Sequence, residues 1–155
     1  SSIIYSNMAI ATDTPMYPGT WMYNDSLAPY FLYNPDEARR LLEAEGWEDS
    51  DEDGILDRLN NEGKPTNLHL SFYVYEEPDN NVRMEAANMI ADMLAEVGIS
   101  TKINLVSMAG AKEKLSAGSF DLALIAFAMD TCPDPGFLLM KRNTGNYSRY
   151  ASALK

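Results

Sequence analysis

Residues 68–106 run LHLSFYVYEEPDNNVRMEAANMIADMLAEVGISTKINLV, and a change of period inside this stretch decides the fold. Leu68, Leu70, Phe72 and Val74 alternate with His69, Ser71, Tyr73 and Tyr75, the two-residue period of a strand. Over residues 80–97 the period lengthens. Val82, Ala86, Met89, Ile90, Met93, Leu94 and Val97 recur at helical spacing, and Gly98 closes the helix. Residues 99–106 return to a strand pattern. A strand, a helix and a strand joined by short links predict an α/β layer with parallel pairing.

Downstream, residues 109–115 predict a short helix ending near Gly118. Residues 122–128 are nearly continuous in apolar side chains, as in a strand buried on both faces. Pro133 and Pro135 donate no ladder hydrogen bonds, so the strand ends before them. Asp130 then falls at a strand terminus, where an α/β fold opens its ligand crevice. A carboxylate at the mouth of an apolar cleft suits a cationic group such as a peptide's amino terminus. The competing reading makes Asp130 a turn or cap residue before a short helix at 137–141. The core is β-α-β-α-β.

Upstream, Asn34, Pro35, Asp36 and Glu37 form a helix start, with Asn34 as N-cap and Pro35 in the first turn. Ala38, Leu41, Leu42 and Ala44 supply its apolar face, and Gly46 ends it. Residues 12–34 show no period. They predict a long N-terminal loop anchored by Tyr17, Trp21, Tyr23, Tyr30, Phe31 and Tyr33.

The chain has 155 residues, 46% hydrophobic, which suits one domain over 1–155 with a sizeable core. Its net charge of −11 argues against nucleic acid and anionic membranes as partners. The single cysteine, Cys132, excludes an internal disulfide and any CxxC metal site. It has no flanking base to activate it as a nucleophile. No apolar run approaches the ~20 residues of a membrane span. Residues 1–11 lack the pattern of a signal peptide, and neither end has the look of a natural terminus, so an internal piece of a longer chain is expected.

Residues 49–63 form an acidic loop. Asp49, Asp51, Asp53 and Gly54 make the first half of a D-x-D-x-D-G calcium loop, with the Ile55 carbonyl as a further ligand and Asp57 as a direct or water-mediated one. Asn60 stands where a full loop has a bidentate glutamate, so a structural calcium there would be weakly held. The alternative is a solvated acidic turn. His69, the single histidine, is expected to be a partly buried structural residue. Met89 and Met93 are expected to fill the core.

These residues, taken in order, resemble a known family. Residues 33–47, YNPDEARRLLEAEGW, are similar to a segment of family 5 extracellular solute-binding proteins, the oligopeptide, dipeptide and nickel receptors of ABC importers. The Asp53-Gly54-Ile55 turn with Gly63-Lys64, the Leu94 to Ile99 junction, Phe120-Asp121-Leu-Ala-Leu, the stretch from Asp130 to Pro135, and Asn146 with Tyr150 resemble further motifs of that family in the same order. No single motif is unique; the ordered set is specific.

The resemblance implies one lobe of a periplasmic-binding-protein-like type II fold, the second-lobe fragment of a two-lobe receptor. It implies a short peptide as ligand, captured by two-lobe closure, with an ABC-transporter permease as partner. It implies an extracytoplasmic location, in a periplasm or lipid-anchored at the cell surface. It places Asp130 against the ligand's α-ammonium and Asn146 among the ligand-binding residues. Phe127 stands where relatives often carry a tryptophan lining a side-chain pocket, which implies a differently shaped wall. The alternative function is a small calcium-binding module using residues 49–60. An enzyme using Asp130 or His69 is a third reading, and no catalytic constellation supports it.

Overall fold

The two strand patterns flanking the helical stretch lie side by side as parallel strands. The computed structural model describes residues 12, 14, 16, 18–24, 26, 32–78, 81–128, 134, 136–141 and 143–151. In chain order the elements are α1 (Pro35–Ala44), β1 (Asp57–Leu59), β2 (Pro65–Asn67), β3 (His69–Tyr75), α2 (Val82–Ala95), β4 (Ser100–Val106), α3 (Met108–Ala117), β5 (Leu122–Leu124) and α4 (Gly136–Leu139). The three-stranded sheet has the order β4-β3-β5. Both pairings are parallel, from His69 with Ser100 to Tyr75 with Val106, and from Phe72 with Leu122 to Val74 with Leu124. A parallel neighbour requires a crossover, and α2 supplies the one between β3 and β4.

The chain divides into two compact units. The first, here the sheet unit, is Tyr33–Ala111 with Phe120–Leu124; the second is Ser1–Leu32, Lys112–Ser119 and Ile125–Lys155.

The core of the sheet unit is Phe72, Val74 and Ala87, with Ile90, Ile103, Leu122 and Leu124 packed against them. Burying a valine or phenylalanine side chain fully stabilises by roughly 1.5–3 kcal/mol. The face of α2 is rotated from the one the sequence predicts. Ala87, with no exposed surface, lies at its centre, while Met93 is 42% exposed and does not fill the core. Ala87, Ile90, Ala91 and Leu94 keep helical spacing, and a small residue at Ala87 allows the helix close to the strands.

Helix α1 begins as expected: the Asn34 side chain accepts from the Glu37 N–H at 3.1 Å, and Pro35 needs no donor in the first turn. Its end carries paired bonds from Gly46 N–H to Glu43 O and from Trp47 N–H to Leu42 O, a Schellman closure. Its apolar face is narrower than expected, because Leu41 and Ala44 point outward and only Ala38 and Leu42 of that set are half-buried. The same closure ends α2, where Gly98 takes φ +80° and the Ile99 N–H donates to Leu94 O.

Four further expectations change. Residues 49–63 are not one loop, since Asp57–Leu59 pairs antiparallel with Pro65–Asn67 around a turn whose N–H groups from Glu62 and Lys64 donate to the Asn60 side chain. The strand expected at 122–128 stops at Leu124, and Ala126, Phe127 and Ala128 are exposed. As an edge strand, β5 pairs with β3 alone among the described residues, so its apolar run continues past the ladder. His69 is exposed at the start of β3. Trp21 is 84% exposed and anchors nothing, while Tyr17, Tyr30 and Phe31 lie outside the described residues.

Candidate functional site

The apolar run that leaves β5 carries Phe127 into an aromatic cluster within the second unit. Its ring meets Phe137 edge-on at 5.4 Å between centroids and stacks on Tyr147 at 6.3 Å. Such pairs add about 0.5–1.5 kcal/mol each beyond the area they bury. The three rings form one wall of a cavity of about 580 Å³. This volume falls within the range of small-ligand pockets, roughly 300–1,000 Å³. Leu115, buried on α3, closes the apolar side. Lys112 and Arg149 are the two cationic residues of its lining.

Asn146 also lines this cavity, and its side chain organises the loop behind it. Its Nδ2 donates to Met140 O at 3.2 Å and to Tyr150 O at 2.8 Å. Its Oδ1 accepts from the Tyr150 N–H at 2.9 Å and from the Ser148 hydroxyl at 3.1 Å. Both amide protons and the carbonyl are thus engaged within residues 140–150, as a buried amide requires. Asn146 acts on the cavity through the loop shape it fixes.

Arg149 has the least ordinary backbone of the wall, with φ 55° in a non-glycine residue. Its Nη2 donates to Ala117 O at 2.8 Å, at the end of α3. The guanidinium lies over Gly118, where a Cβ would meet Arg149 Cζ at 2.7 Å. Glycine at 118 therefore makes room for the cation.

Asp130, the carboxylate singled out from the sequence, lies outside the described residues, as do Cys132, Pro133 and Pro135. Asp134 is described, and its Oδ1 accepts from the Gly136 N–H at 2.8 Å, a local turn ahead of α4.

The acidic loop divides. Asp49, Asp51 and Asp53 are exposed and bring carboxylate oxygens within 4.8 Å of one another. Those oxygens already accept backbone N–H groups: Asp49 from Asp53 and Gly54, and Asp53 from Ile55. Asp57 is not with them. It is 4% exposed, and both its oxygens accept from Ser50, at 2.9 Å from the N–H and at 2.8–2.9 Å from the hydroxyl. Its place at the start of β1 turns its side chain inward, which corrects its placement in a ligand set.

In the sheet unit, a second cluster gathers at the C-terminal end of β3. The Arg83 guanidinium lies 3.7 Å from the Tyr75 ring centre and pairs with Glu77 at 2.8 Å. Burial pushes the Tyr75 phenol up, Arg83 opposing. This is an ion pair on an aromatic face, and no nucleophile–base pair accompanies it among the described residues.

Phe137, Tyr147, Lys112 and Arg149 are the wall residues that sequence reasoning missed. They come from three segments with no common spacing, and only the fold brings them together. No helix among the described residues is long and apolar enough to cross a membrane.

The family model of the bacterial extracellular solute-binding proteins, family 5, middle region, matches residues 2–149. The oligopeptide-binding protein AppA of Bacillus subtilis (strain 168) is 31% identical over 123 residues, covering 77% of this chain. The chain spans 21% of that relative's length. A structure of Bacillus subtilis AppA in complex with a nonapeptide superposes with a TM-score of 0.80 at 25% identity, over 98% of this chain and 31% of that one. An oligopeptide-binding protein from Thermus thermophilus complexed with a pentapeptide superposes at 0.75, with 22% identity, over 93% of this chain and 24% of that one. The fold is thus that of one portion of a type II periplasmic binding protein.

Proposed function

The chain belongs to family 5 of the bacterial extracellular solute-binding proteins, and on that premise we propose that it is a substrate-binding lobe of an ABC-importer receptor that captures short peptides. The observation that carries this reading is the aromatic cavity that Phe127 opens in the second unit, three residues ahead of Asp130. In this reading Asp130 accepts the peptide's α-ammonium, Phe127 supplies apolar wall, and Asn146 holds the loop that completes the lining. Extended main-chain contacts supply affinity with little demand on sequence. The other lobe of the same receptor closes over the ligand, a hinge-type population shift. The closed receptor delivers peptide to a permease from the periplasm or from a lipid anchor at the cell surface. The role is binding, with no catalytic step.

The test is peptide binding by the full-length receptor that carries this segment. A charge-assisted contact to the ammonium is worth ~1.5–3 kcal/mol, so Asp130→Ala weakens binding at least about tenfold. An N-acetylated peptide binds the wild type poorly and loses little more on the substitution. Equal binding of free and acetylated peptides makes Asp130 a turn residue.

A further inference from the structure

We infer that the cavity beside Phe127 selects peptides carrying an acidic side chain, with Lys112 and Arg149 as the groups that recognise it. This rests on the peptide-receptor reading above and names the ligand class of that site. The chain holds 23 Asp and Glu against 12 Lys and Arg. Yet among the described residues the wall of this cavity contains two cations and no carboxylate. Those two cations offer the complementarity an anion requires.

One of the two cations, Arg149, is positioned rather than loose. Arg149 is held by the Ala117 carbonyl, and its backbone adopts φ 55° to reach it. One Nη2 hydrogen bond leaves the rest of the guanidinium's five N–H donors for a ligand. A role confined to capping α3 would need Arg149 alone. Lys112 sits a full turn earlier on the same helix, caps nothing, and forms no ion pair with a described carboxylate. Phe127, Phe137 and Tyr147 supply apolar wall for the methylene stem that carries such a carboxylate. A glutamate side chain combines the two features.

The experiment is titration calorimetry of the full-length receptor with penta-alanine and with its variants carrying glutamate or glutamine at each position in turn. At one position, glutamate binds about tenfold tighter than glutamine at low salt, and the preference shrinks at about 0.5 M salt as exposed charges are screened. Lys112→Gln brings the ratio of the two affinities towards one. Arg149→Lys, which keeps the charge and loses the fork, retains part of the preference. If Arg149→Lys fails to fold, Lys112→Gln decides alone. Penta-alanine binding with glutamate and glutamine equal at every position overturns the inference and leaves the peptide-receptor reading standing. If none of the peptides binds, that reading falls and takes the inference with it.

Discussion

Leu56 rests directly on Gly98: its N–H donates to the Gly98 carbonyl at 2.8 Å, and a Cβ on Gly98 would lie 2.6 Å from Leu56 Cγ. The contact ties the strand-like approach to β1 onto the turn between α2 and β4. Gly98→Ala therefore combines a left-handed backbone penalty of about 1–2 kcal/mol with an overpacking penalty of about 1–3 kcal/mol. Urea unfolding of Gly98→Ala in wild-type and Leu56→Ala backgrounds separates the two. The steric share disappears in the double variant, and equal costs in both backgrounds would show that backbone strain acts alone.

In the same region the buried Asp57 carboxylate accepts from the exposed Ser50. Asp57→Ala removes the acceptor of both the Ser50 N–H and hydroxyl, and with water replacing it at exposed Ser50 each lost bond costs about 0.5–1.5 kcal/mol. Ser50→Ala removes only one donor and costs less. Chemical denaturation measures both, and the reverse order would mean that Asp57 does not organise the turn.

The Tyr33 hydroxyl donates to the Glu96 carboxylate, and this bond raises the phenol above its ordinary value of about 10. A raised folded value stabilises the protein below the unfolded value, and the stabilisation is lost as pH rises through the folded one. Stability should therefore fall above pH ~10, and Tyr33→Phe should flatten that part of the profile. Absorbance titration of the phenolates should show Tyr33 and Tyr75 titrating late, and Glu96→Gln should return one of the two to the ordinary range.

The acidic loop closes on its own backbone through Asp49 and Asp53. Asp49→Ala should cost about 0.5–1.5 kcal/mol in calcium-free buffer. Millimolar calcium should leave the wild-type melting temperature unchanged. A rise that Asp51→Ala abolishes would instead establish a cation loop.

The β-α-β pattern was legible because β3 and α2 each keep a strict period, and the caps of α1 were legible because Asn34, Pro35 and Gly46 act locally. The inward stripe of α2 was less so. Ala86 and Ala87 are equally apolar, and only the approach of Phe72 and Val74 decides between them. The end of β5 was misplaced because side-chain hydrophobicity continues to Ala128 while backbone pairing stops with Val74 and Leu124. Phe127 was named through the family resemblance, as the position where relatives often carry a tryptophan. Its partners Phe137 and Tyr147 arrive through tertiary contacts that no local spacing records.

The central place of β3 also sets an order of assembly. His69 finds Ser100 across 31 positions, whereas Phe72 must find Leu122 across 50. Closing the longer loop costs more chain entropy and gains only three paired residues. The β3-α2-β4 unit, with the shorter loop, is therefore expected to form before β5 joins it. Strand β5 then docks onto an edge already made, so the edge of the sheet nearest the chain's end is the last of its three strands to be secured.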